Sequence, residues 1–134
     1  MTSNLLKKSF LALLILTVFT VSRCKENALV SAKEDEEYEL ELLMHEIKSM
    51  SAQVSCENAG DWKFVPIGNR GCGGAEGFVA YSTKIDTTYF LKKVAQYTDL
   101  QTAFNKKWQI KSPCNIIIAP KSIECVEGKA MFVY

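Results

Sequence analysis

The sequence has one histidine in 134 residues, three prolines, no Cys-x-x-Cys pair, and no apolar run approaching the roughly 20 residues that a bilayer-spanning helix needs. Each shortage removes a class of function. The one histidine, His45, sits in an acidic stretch far along the chain from most other reactive side chains. A Ser/His/Asp or Cys/His nucleophile therefore requires that stretch to fold back onto the rest. Without Cys-x-x-Cys knuckles or further histidines a zinc site has too few ligands, so no metal or cofactor is expected. A phosphate-binding GxxxxGK[ST] loop is missing too: the glycine-rich stretch Gly68–Gly77 leads into Phe78-Val79-Ala80-Tyr81 rather than straight into a helix.

What is present begins with an export signal. Lys7 and Lys8 precede Ser9–Val21, an apolar run of about a dozen residues, which has the charged and apolar regions of a secretory signal. Two maturation routes fit the residues that follow. Thr20 and Ser22 are small enough for an ordinary signal peptidase, while Val21-Ser22-Arg23-Cys24 resembles a bacterial lipoprotein box in all but Arg23. Cysteine parity favours lipidation of Cys24. The chain has five cysteines, and assigning Cys24 to a lipid leaves an even set, Cys56, Cys72, Cys114 and Cys125.

Charge divides the mature chain. Residues 25–50 carry three lysines against eight acids, a net of −5, and residues 51–134 carry ten bases against seven acids, a net of +3. Three segments are expected: a signal peptide at 1–23, the anchor cysteine and an acidic helical tether at 24–55, and a disulfide-stabilised domain at 56–134. In the tether, Leu40, Leu43, Met44 and Ile47 fall at helical spacing, which predicts a helix from about Glu34 to Met50. Its apolar stripe leaves two roles open, a solvated spacer or an element docked on the basic body or a partner.

The body reads as α+β: a small antiparallel sheet packed against one long helix and held by two disulfides. Strands are expected at Asp61–Ile67, Phe78–Tyr81 and Asn115–Ala119, then a hairpin of Ser122–Val126 and Ala130–Tyr134 around Glu127-Gly128-Lys129. Asp86 is a helix cap, with Ile85 and Phe90 placed as a hydrophobic staple. Phe90, Val94, Tyr97, Gln101, Phe104 and Trp108 follow as the core-facing stripe, and Ser112-Pro113 stops the helix. Trp62 and Trp108 are expected in the core. Four cysteines allow three pairings; short loops favour Cys56 with Cys72 and Cys114 with Cys125. Between Gly68 and Gly77 the glycines, in particular Gly71, Gly73 and Gly74, allow positive φ around Cys72. The same loop is a candidate binding surface, with Asn69, Arg70 and Glu76 as its polar contacts.

Lys92, Lys93, Lys106 and Lys107 share a side of the long helix with Asp99, a mixed solvated face rather than a polyanion site. Nucleic acid is not an expected partner, given the modest positive charge and the export signal. The signal with Cys24, and the body through Asp61-Trp62-Lys63, Cys72-Gly73-Gly74, Tyr81-Ser82, Ile85-Asp86 and Cys114, resembles small exported bacterial lipoproteins of no assigned activity. The resemblance implies attachment to the cell envelope and supplies no mechanism. Two functions remain: a non-enzymatic envelope binding module for a protein partner, such as an inhibitor or accessory subunit, and a small hydrolase working through carboxylates. An exposed apolar patch favours the first; a cleft holding two acids with a raised carboxyl pKa favours the second.

Overall fold

The computed structural model describes residues 28–134; the expected signal peptide and Cys24 lie outside the described residues. The chain divides into two compact units, one ending at Glu37 and the other comprising Tyr38–Tyr134. A helix, α1, covers residues 28–51 and crosses that division. Its portion in the first unit carries one ion pair, Lys33 Nζ to Glu37 Oε1 at 3.2 Å, at the i,i+4 spacing that supports an exposed helix.

The second unit is α+β. After α1 come a single 3-10 turn at Ala59–Asp61, strands β1 (Trp62–Ile67) and β2 (Gly77–Ser82), helix α2 (Thr87–Lys107), and strands β3 (Ser122–Val126) and β4 (Lys129–Val133). The expected single sheet is two separate antiparallel pairs, β1 with β2 and β3 with β4. β1 and β2 pair from Trp62 opposite Ser82 to Ile67 opposite Gly77. In the second hairpin Val126 pairs with Lys129, so Glu127 and Gly128 alone make the turn, both at positive φ. That is the two-residue turn whose twist matches the strands it joins.

Two helices rather than one cover the first sheet. Leu43, Ile47 and Met50 of α1 are buried with Phe90, Val94 and Tyr97 of α2, and with Ile67 and Tyr81 from the strands. Each helix supplies residues spaced i, i+4, i+7, the one-sided stripe that a core-facing helix requires. Ile47 and Phe90 are fully shielded from solvent, and Tyr81 stacks on Phe90 at 5.0 Å between ring centroids. The tether helix is therefore no free spacer from Tyr38 onward: of the two roles its stripe left open, docking on the body is the one observed. Ser51 Oγ fastens its end by donating to the Ala80 carbonyl at 2.5 Å.

A smaller core lies beneath the second hairpin, where Cys56, Trp62 and Ala80 are buried against Ile123, Ala130 and Phe132. Trp62 is thus a core residue, as expected. The disulfide here joins Cys56 to Cys125, with Cα atoms 5.2 Å apart, which overturns the expected pairing by shortest loop. The reason is local. The Cys56 amide donates to the Gly128 carbonyl at 2.8 Å, so the β3–β4 hairpin folds directly onto Cys56 and brings Cys125 to it. Cys72 and Cys114 remain as thiols, both exposed.

Helix α2 starts where the cap predicts, with Asp86 Oδ1 accepting from the Tyr89 amide at 2.9 Å. It ends at Lys107, ahead of the expected Ser112-Pro113 stop. Gln109 adopts φ 51° and the Ile110 amide returns to the Asn105 carbonyl at 3.0 Å, a left-handed helix termination made without glycine. Residues 111–119 then belong to no helix or strand, so the expected strand Asn115–Ala119 is absent. The Arg70 guanidinium takes the carbonyls of Pro113 and Asn115, the second of which is an acceptor at the start of the expected strand.

Candidate functional site

The glycine-rich loop between β1 and β2 is held from both sides. On one side stands a polar row on α2: Thr98, Gln101, Thr102 and Asn105, spaced i, i+3, i+4, i+7. Thr98 Oγ1 accepts from the Gly68 amide at 3.0 Å, and Gln101 Oε1 from the Asn69 amide at 2.7 Å. Asn69 Nδ2 donates to Thr102 Oγ1 at 2.9 Å, and Asn105 Nδ2 donates to the Asn69 carbonyl at 2.5 Å. Glu76 closes the row by accepting from Gln101 Nε2 at 2.6 Å. The Tyr97 phenol below is pushed up to about 12, by burial first and by Glu76 beside it second.

On the other side lies the segment after α2. Arg70 donates to the carbonyls of Pro113, at 3.2 Å, and Asn115. Its Nε is shielded from solvent without a hydrogen-bond partner. Gly71 approaches so closely that a Cβ there would lie 2.1 Å from the Ile110 carbonyl oxygen. Its role is this close approach, and the positive φ values fall instead at Gly68, Gly73 and Gly74. Gly73 and Gly74 complete a tight turn, in which the Gly73 amide donates to the Arg70 carbonyl at 2.8 Å and the Arg70 amide to the Gly74 carbonyl at 3.0 Å.

Asn69, Arg70 and Glu76 thus each make side-chain hydrogen bonds within the fold that set the loop, and Glu76 is at the same time exposed. What the arrangement displays is its tip, Cys72 to Gly74, beside Cys114 and the isoleucines that follow. Arg70, Cys72, Phe78, Cys114, Ile116 and Ile117 line a hollow of about 330 Å³. Ile116 is 91% exposed and Ile118 70%. Sequence reasoning placed the loop but not the polar row that holds it, although four uncharged polar residues on one helical face were legible as such. It also read Gln101 as a member of the apolar stripe.

The two thiols electronically differ. The Cys114 thiol beside it, with Ser112 and the Arg70 guanidinium, draws the Cys72 thiol below its ordinary value against partial desolvation. Cys114 moves the other way, raised first by the neighbouring Cys72 and then by desolvation. Ser112 Oγ lies 3.9 Å from Cys72 Sγ, and Cys72 Sγ lies 3.6 Å from the Pro113 carbonyl.

The fold does bring His45 back to the body, beside a second hollow shared with Glu46, Ser49, Asp86 and Tyr89. Its carboxylates are already engaged. Asp86 caps α2, and Glu46 accepts from Lys93 Nζ at 2.9 Å and from the Tyr89 hydroxyl at 3.2 Å. Lys93 holds the Glu46 carboxyl below the usual range, the opposite of what a general acid requires. Among the described residues no cluster of three or more His, Cys, Asp or Glu side chains could hold a metal ion. No family model, curated protein or solved structure matches the chain, so its function is read from this geometry.

Proposed function

We propose that the protein is an exported, lipid-anchored binding module of the bacterial cell envelope, attached through Cys24, and that it engages a protein partner through the face made by the loop tip and Ile116–Ile118. The observation that carries this reading is the exposure of Ile116 and Ile118 beside a loop fixed by side-chain bonds on two flanks. Contiguous apolar side chains left in water mark an interaction surface more often than chance. A loop already ordered by Thr98, Gln101, Thr102, Asn105 and Arg70 loses little freedom on binding, so more of the contact energy is expressed as affinity. The rival carboxylate hydrolase calls for a carboxyl held protonated in a cleft; Glu46 is instead kept ionised by Lys93.

The test compares envelope proteins retained by the full-length chain with those retained by an Ile116→Ser/Ile118→Ser variant. A discrete protein held by the first and lost by the second is expected. Equal recovery by both, or none by either, overturns the reading.

A further inference from the structure

Beyond the binding reading, and resting only on its export to an oxidising compartment, we infer that Cys72 and Cys114 form a reversible dithiol–disulfide couple that clasps the glycine-rich loop to the segment after α2, with Cys72 as the attacking sulfur and Cys114 as the resolving one. The geometry brings the two together from elements 42 positions apart in sequence. Gly71 packs against Ile110, Arg70 binds the carbonyls on both sides of Cys114, and both sulfurs line one hollow. Cys72 Sγ already lies within 3.6 Å of the carbonyl that immediately precedes Cys114.

The asymmetry follows from surroundings. The Cys72 thiolate is favoured first by the Cys114 thiol and then by Ser112 Oγ, 3.9 Å away, while the Arg70 guanidinium acts on both sulfurs; the thiolate is the nucleophile in disulfide exchange. Closure takes a disulfide donor, RSSR, of the kind an oxidising compartment supplies. The Cys72 thiolate attacks one donor sulfur, forms a mixed disulfide and releases one RS⁻. Cys114, its proton passed to water, then attacks the Cys72 sulfur and expels the second RS⁻. Two thiols are oxidised, one donor disulfide is reduced to two RSH, and the two protons lost by the protein end on the donor.

The couple differs in kind from Cys56–Cys125. Cys56 is 3% exposed and sits in a core with Trp62, whereas Cys72 and Cys114 both face solvent. Exposed disulfides are the more readily exchanged ones.

The test equilibrates the full chain in glutathione buffers of graded GSH²/GSSG, traps free thiols by alkylation, and maps peptides. A Cys72–Cys114 crosslink is expected in oxidising buffer, opening at a ratio lower by on the order of tenfold or more than the one that opens Cys56–Cys125. In the reduced protein, with both thiols present, a limiting pulse of iodoacetamide labels Cys72 several-fold ahead of Cys114. Cys72 joined to any other cysteine, both thiols alkylated in oxidising buffer, or both bridges opening at one ratio overturns the inference. Equal labelling of the two sulfurs overturns the assigned roles.

Discussion

The carbonyl oxygen of Ile110 occupies the space a side chain on Gly71 would need, with only 2.1 Å between it and an ideal Cβ. A β-carbon cannot be accommodated there unless backbone moves, because the obstruction is a peptide group and not the end of a flexible side chain. This close approach, together with the Arg70 bonds to the Pro113 and Asn115 carbonyls, holds the loop that carries Cys72 against the segment that carries Cys114.

Gly71→Ala should therefore separate the loop from the segment after α2, while the core around Ile47 and Phe90 survives. A loss of about 1–3 kcal/mol is expected from urea unfolding, the usual cost of forcing extra volume into a packed contact. Gly77→Ala is the control. A Cβ at Gly77 meets nothing within 4 Å and its φ is not positive, so its effect should stay within about 1 kcal/mol of neutral.

Ile47→Ala tests whether the acidic helix belongs to the body. The side chain is fully buried among residues of α2 and both strands of the first sheet. Deleting it should cost about 2–5 kcal/mol in chemical denaturation. Leu42→Ala, at a position 52% exposed on the same helix, should cost no more than about 0.5 kcal/mol. Equal, small effects would restore the spacer reading.

The Glu46–Lys93 pair gives a pH signature. Lys93 lowers the Glu46 carboxyl from its ordinary 4.5. A carboxyl lowered on folding contributes stability that is present above its unfolded value and is lost as pH falls through the folded one. Glu46 raises the Lys93 ammonium in turn, so its contribution is present below the ordinary lysine value and lost as pH rises through the raised one. Lys93→Met should accordingly lower stability most between these limits. The difference from the parent protein should vanish in acid, measured as unfolding midpoints across pH.

Attachment at Cys24 is checked by the intact mass of protein from its native membrane fraction. A mature chain beginning at Cys24 and carrying added acyl mass is expected. A chain beginning at Arg23 with an unmodified Cys24 removes the anchor from the account.

Local chemistry makes much of the fold legible in the sequence. Asp86 caps α2 and Phe90 is buried, as the cap and staple pattern required. Gly128 marked the last hairpin turn. What escaped were long-range choices. The pairing of Cys56 depends on where the β3–β4 hairpin docks, which no loop-length argument contains. Asn115–Ala119 has strand composition, but Arg70 claims the carbonyls of Pro113 and Asn115, and that partner is more than 40 positions away. The polar row on α2 was visible as a pattern; its purpose became plain only with Asn69 lying against it.

The most direct test of the binding account is photo-crosslinking in intact cells from position 118, compared with position 96, an exposed site on α2 away from the loop face. The account predicts an adduct to one envelope protein from position 118 and none from position 96. No adduct from either position, or the same adducts from both, would contradict it.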